Sequence, residues 1–208
     1  MRLYLIRHGE TMHNREERFQ GSIDAELTPL GKKQAAALSE YFKPVKIDVT
    51  ISSALLRAQT TINAILAHHP NLLLQISPSL NEQHGGQIEG QLRTDVLHKW
   101  PQYFTPEGRL NVFVTPEGAE SYEQVQNRAS KFLDQIISEN RNSDKTILIV
   151  AHGMVNKVLI CHLLSLPPHE NYYNFYQYNA CINEFVIDEK GTHAIRINDT
   201  AHLNVIGK

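Results

Sequence analysis

Cysteine is scarce in this chain, with Cys161 and Cys181 the only two in 208 residues. Neither belongs to a CxxC pair or stands at metal-ligand spacing from histidine, so a disulfide framework and a thiolate metal site are excluded. Two structural thiols in a reducing compartment are expected instead. An excess of one charge is missing too. Twenty basic against 22 acidic residues leave a formal net charge of −2, and no Lys/Arg block forms a polybasic tail. Nucleic acid is therefore not an expected partner, and any anion site has to be local. No apolar run approaches the ~20 residues that cross a bilayer. The first residues enter a strand-like segment directly rather than a charged leader, so the expectation is a soluble, cytoplasmic protein with no membrane partner. Internal repeats and low-complexity segments are absent as well.

What is present suits one α/β domain over residues 1–208, with 41% hydrophobic and 20% charged residues and enough length to bury a sizeable core. Arg2 to Ile6 is short and β-rich, as a central strand would be. Asn14 to Glu26 is polar and irregular and predicts a loop. Thr28-Pro29 is a helix start, with Leu30, Ala35, Ala37, Leu38, Tyr41 and Phe42 along the helix. Val49 to Ser52 predicts a second strand, Leu55 to Leu66 a helix, and Leu72 to Ile76 a third strand. From about 78 to 118 the pattern breaks into glycines, prolines and a short helix near Asp95 to Trp100, an excursion that would cap the sheet edge. Ser121 to Asn140 is a long amphipathic helix. Thr146 to Ala151 is the most hydrophobic strand and should be central, followed by a helix from Met154 to Leu164. Cys181–Ile187 and His193–Ile197 close the chain as a hairpin through Glu189-Lys190-Gly191. This alternation predicts a three-layer αβα sandwich around a mainly parallel sheet, with a small cap insertion.

Chemistry gathers at the strand ends. Arg7 and His8 follow the first strand, Ser52 and Ser53 end the second with Arg57 about a turn later, and His152-Gly153 follows Ala151. In a doubly wound sheet these carboxyl ends open on one edge, where ligands bind. Two arginines and two histidines converging there carry uncompensated charge that a phosphoryl group would neutralise. Arginine's planar fork suits phosphate oxygens, and a neutral imidazole nitrogen can attack phosphorus. Ser53 reads as an N-cap, because no GxSxG elbow surrounds it. The remaining histidines lack metal-ligand spacing, so no metal is expected.

These residues also carry a family pattern: RHGET with Asn14, Gln20-Gly21, LTPLG (27–31), SSALLRAQT (52–60), LNE with Gly85 and Glu89-Gly90, PEGAES (116–121) and AHG (151–153). The set resembles the histidine phosphatase superfamily, in the branch of cofactor-dependent phosphoglycerate mutases and their phosphatase relatives, from residue 3 to about 160. The resemblance implies a phosphoglycerate mutase-like fold. It also implies a phosphohistidine on His8, with Arg7, Arg57, Asn14 and His152 holding the phosphoryl oxygens and Gln20, Gly21 and Gly153 lining the ligand. Glu82 matches the family's acid/base carboxylate, with Glu89 a competitor in the same loop and His84 on the rim. No cofactor is implied, since the arginines and histidines supply the positive charge.

Mutases of this family resemble one another in placing arginine after that glutamate, where this chain has Gln83. They also carry a longer, arginine-rich insertion; here Arg93 to Arg109 offers only Arg93, Lys99 and Arg109, so a doubly anionic triose would be poorly held. The expected function is hydrolysis of small-molecule phosphate monoesters, as in relatives that include alpha-ribazole and sugar-phosphate phosphatases. Phosphoglycerate mutase-type transfer is the alternative, and a catalytically silent binding module the third reading. Trp100, Tyr103 and Phe104 either receive an apolar leaving group or pack the cap. A homodimer is compatible with the sequence.

Overall fold

The computed structural model describes residues 1–141 and 143–206. The opening strand β1 (Arg2–Arg7) alternates faces, as a two-residue period requires. Leu3 and Leu5 join one apolar cluster, while Tyr4 and Ile6 join the other. It leads to a short helix α1 (Met12–Arg15), where the sequence predicts only loop; Thr11 and Asn14 build a reciprocal capping box that pins this single turn. The predicted start of α2 (Pro29–Phe42) is present, with Thr28 accepting from the Gly31 amide and proline in the first turn.

Next come β2 (Val49–Ser53), α3 (Leu56–Leu66) and β3 (Leu74–Ser77), the last shifted toward the C-terminus from its expected place. The cap segment holds α4 (Arg93–Lys99) between irregular stretches. Ile88, Val96, Tyr103 and Phe104 give it a small apolar cluster of its own, with Trp100 packed alongside. The frame then resumes with α5 (Tyr122–Asn140), β4 (Thr146–Ala151) and α6 (Gly153–Leu163), and ends with α7 (Pro168–Asn171), β5 (Ile182–Asp188) and β6 (Gly191–Asp199).

The six strands lie in the order β3-β2-β4-β1-β5-β6. The first four run parallel, and β5 and β6 are antiparallel additions. Helices α2 and α3 cover one face and α5 and α6 the other. From β1 the chain crosses to β2 on one side, and from β4 it crosses the opposite way to β5. Because β1 and β4 are neighbours, the strand order reverses between them, which opens a crevice beyond their carboxyl ends. His8 and His152 are the residues that directly follow these two strands.

One backbone contact fixes this crevice to the helical layer. A Cβ on Gly31 would lie 2.1 Å from the Glu10 carbonyl oxygen, and one on Gly9 would lie 2.6 Å from the Gly31 carbonyl. Two main chains touch there with no side chain between them, so the segment after β1 is held against the first turn of α2. Gly31→Ala should therefore destabilise the fold by about 1–3 kcal/mol through overpacking. Urea unfolding would reveal it as a lower midpoint at unchanged slope, and a midpoint equal to wild type would refute the contact.

Candidate active site

His8 is 3% exposed and its Nδ1 lies 2.7 Å from the Gly9 carbonyl oxygen. A carbonyl only accepts, so Nδ1 carries the hydrogen and Nε2 keeps a lone pair. Burial, reinforced by the charges of Arg57 and Arg7, holds this imidazole well below its ordinary value near 6.5. The ring is thus neutral at physiological pH. It lines a cavity of about 220 Å³ together with Arg7, Asn14, Gln20, Gly21, Arg57 and Glu82.

Among the described residues the two arginines hydrogen-bond only to neutral partners. Arg57 is 1% exposed; its Nε donates to His152 Nδ1 at 3.2 Å, and its two terminal nitrogens donate to the carbonyls of Ile23 and Gly21 at 2.9 and 2.7 Å. A guanidinium has five N–H groups, so two remain for a ligand. Burial pulls Arg57 down to about 10. Arg7 donates one terminal N–H to the Gln177 carbonyl, and its buried Nε has no partner among the described residues. Its guanidinium packs 3.5 Å from where a Cβ on Gly153 would stand, so the bare first residue of α6 makes room for it. Two desolvated cations with no carboxylate hydrogen-bonded to them among the described residues form a site that an anion completes.

His152 lies behind this pair. It is fully buried, with its ring centroid 5.2 Å from that of His8. Nδ1 accepts from Arg57, so Nε2 holds the hydrogen and donates to Ser53 Oγ at 2.6 Å. Ser53 Oγ in turn donates to Asn81 Oδ1 and accepts from the Leu55 amide. Both nitrogens are engaged, and the ring does not line the cavity. Ser53 is not the N-cap of α3, which is Leu55 without a side-chain cap. The serine links β2, β4 and the loop of Asn81 instead.

The competing carboxylates separate by position. Glu82 lines the cavity and accepts from the amides of Met154 and Val155 at the start of α6 and from that of its own neighbour Gln83. Glu89 instead fastens two loops, accepting from Ser22 N at 2.7 Å and Gly85 N at 2.8 Å, with His84 exposed 3.9 Å away. Gly21 has φ +53°, and a Cβ there would fall 2.0 Å from a Glu89 oxygen, so no side chain fits. Gln20 accepts from Thr11 Oγ1 and donates to the Ile23 carbonyl, which shapes the same loop. Asn14 Oδ1 accepts from the Thr11 amide and from Asn179. Its Nδ2 has no partner among the described residues and stands beside the cavity.

Sequence reasoning missed the supports that come from far along the chain. Gln177 holds Arg7, Asn179 Nδ2 donates to the His8 carbonyl as well as to Asn14, and Asn183 binds Gln177. The available signal was a run of amide side chains beside an apolar strand, which have to find partners once buried. Of the two roles open to the cap aromatics the structure gives packing, with Tyr103 and Phe104 inside the cap and Trp100 alongside, whereas Phe19 and Tyr172, which sequence reasoning did not single out, line the cavity. Among the described residues no three His, Cys, Asp or Glu side chains gather to hold a metal ion, and no helix is long and apolar enough to cross a membrane.

An α/β sheet with a histidine between two unpaired arginines at its switch point defines a class of phosphoryl-handling proteins. The chain belongs to the histidine phosphatase superfamily (branch 1), whose sequence profile matches residues 3–200. Phosphoserine phosphatase 1 of Hydrogenobacter thermophilus is 30% identical over 203 residues, covering 98% of this chain and 94% of that protein. 2,3-Bisphosphoglycerate-dependent phosphoglycerate mutase 2 of Gloeobacter violaceus is 29% identical over 170 residues, covering 81% and 78%. The crystal structure of the alpha-ribazole phosphatase from Shigella flexneri superposes with a TM-score of 0.83 at 29% identity, covering 96% of each chain.

His152, like His8, is held well below the ordinary imidazole value, by burial and then by Arg57. For both rings the unfolded chain binds the proton more readily. Stability is therefore full above about pH 6.5 and falls as pH drops below it, by up to about 1.4 kcal/mol per pH unit for each histidine. Urea unfolding in phosphate-free buffer between pH 7.5 and 5.5 should show this slope, and His8→Asn should remove roughly half of it. An unaltered slope in that variant would contradict the buried, neutral His8.

Proposed function

We propose that this chain hydrolyses small-molecule phosphate monoesters through a phosphohistidine on His8, with Glu82 as the acid and base. One observation carries the reading: the Nε2 lone pair of a neutral His8 shares its cavity with Arg7, Arg57 and Glu82. Nε2 attacks phosphorus as the bond to the leaving oxygen breaks, and Glu82 in its acid form protonates that oxygen. Water then attacks the phosphohistidine, Glu82 as carboxylate takes its proton, and the P–N bond breaks to release phosphate and restore His8. The free N–H groups of Arg57, Arg7 Nε and Asn14 Nδ2 take the charge spread over the equatorial oxygens. His152 serves through Arg57 by fixing the guanidinium, and Gly21, Gln20 and Gly153 shape the walls. Because the arginines supply the positive charge, the reaction proceeds without a divalent cation.

Hydrolysis is favoured over transfer to a second hydroxyl by Gln83. The side chain after the acid/base glutamate is uncharged, and its Nε2 is committed to the Glu120 carbonyl. The phosphatase relative also covers nearly the whole chain, while the mutase relative keeps transfer as the second reading.

With p-nitrophenyl phosphate and a panel of metabolite esters in EDTA, the protein should release inorganic phosphate. Brief mixing with labelled ester should trap an acid-labile, base-stable phosphoprotein that His8→Ala cannot form. Glu82→Gln should lower kcat by about 10²- to 10⁴-fold. Interconversion of 2- and 3-phosphoglycerate with negligible phosphate release would decide for the mutase.

A further inference from the structure

The cavity at His8 continues into a second one of about 310 Å³ beneath the cap, and the two share Phe19, Leu110, Val112 and Tyr172. The walls of the second carry three cations, Arg93, Arg109 and Lys157, and no carboxylate. Arg93 is partly committed, donating to the Gly108 carbonyl and lying over the Phe104 ring. Arg109 lies 6.0 Å over the Tyr173 ring, and among the described residues its one side-chain hydrogen bond is a long one to the Tyr176 hydroxyl, at 3.5 Å.

Lys157 is the informative residue. It stands on α6 one turn after Gly153, the residue against which the Arg7 guanidinium packs. Four residues of helix advance about 6 Å, and helical side chains lean toward the N-terminus. The ammonium is thereby directed back toward Arg7. Burial pulls it down to about 8, and Arg7 and Arg109 push in the same direction. Its Nζ lies 4.8 Å over the Tyr172 ring, a contact that uses none of its three N–H donors, and it has no hydrogen-bond or ion-pair partner among the described residues. Glu82 acts on it only from the neighbouring cavity and makes no ion pair with it among the described residues. A desolvated lysine kept charged by no protein partner fits a ligand anion.

We propose that this second cavity is an anion subsite, in which Lys157 and Arg109 bind a carboxylate or second phosphate on the leaving group. The preferred substrates are then phosphate esters of short acidic alcohols, whose second charge sits about one helical turn from phosphorus. This inference rests on the phosphatase reading of His8. It also alters the count of cations open to a doubly anionic ligand. Of the three in the cap, Lys99 stacks on Trp100 at 4.2 Å and lines neither cavity, whereas Lys157 enters from α6.

3-Phosphoglycerate and glycerol 3-phosphate differ only in a carboxylate against a hydroxymethyl group, so the ratio of their kcat/KM values isolates the subsite. The wild-type ratio should favour the acid by about tenfold or more, the size of one charge-assisted hydrogen bond. Lys157→Met should cut that ratio about tenfold, chiefly through KM, and Lys157→Arg should restore most of it. Fructose 1,6-bisphosphate against fructose 6-phosphate shows whether a second phosphate is accepted in place of the carboxylate. Turnover of both members of each pair without preference, or a ratio untouched by Lys157→Met, overturns the subsite and leaves the phosphatase standing. Failure to hydrolyse any ester, p-nitrophenyl phosphate included, overturns both.

Discussion

Arg57 reaches the crevice because three neutral acceptors take its N–H groups. They are His152 Nδ1 from the end of β4 and two carbonyls from the loop after α1. A carboxylate in any of those places would satisfy the charge and leave nothing for a ligand. Neutral acceptors orient the guanidinium while leaving its charge uncancelled. Much of the surrounding architecture secures those acceptors. Gln20 and Glu89 shape the loop that carries Gly21 and Ile23, and the absence of a side chain at Gly21 lets Glu89 approach. Ser53 and Asn81 fix the tautomer of His152. Arg7 repeats the arrangement from the other side, with the Gln177 carbonyl as its neutral anchor.

The two carboxylates of the glycine-rich loop show how position divides similar residues. Glu89 spends its oxygens on Ser22 and Gly85 and so joins two loops. Glu82, seven residues earlier, rests on the start of α6 with its carboxylate open to the cavity. Each receives backbone amides, yet only one shares a cavity with His8. Chemical type alone does not distinguish them, and the placement of the loop does.

Local signals were readable where their physics is local. Thr28-Pro29 and Ser121 start their helices as their residue types demand, and the apolar run Thr146–Ala151 is the buried central strand. Arg7, His8, Arg57 and His152 were assembled without any contact information, because doubly wound sheets bring strand ends to one edge. What stayed hidden depends on tertiary register. Ser53 has the look of a cap and becomes a link to His152 only once β4 lies beside β2. Gln177 and Asn179 meet the site through the return of the chain before β5, more than 160 positions after β1. Lys157 was invisible as a cavity wall because its helix face is set by packing against Tyr172. The one-turn helix at Met12 escaped because a single capping box, rather than apolar periodicity, holds it.

The seat of Glu82 ties the proton inventory to the order of the fold. As a carboxylate it serves as acceptor for the first free amides of α6; carrying a proton, it turns one oxygen into a donor and loses part of that fit. Arg7 leans on Gly153 in the first turn of α6, and Lys157 follows one turn later. Glu82, Arg7 and Lys157 thus refer to the opening turns of one helix, so a single element sets the mutual spacing of all three.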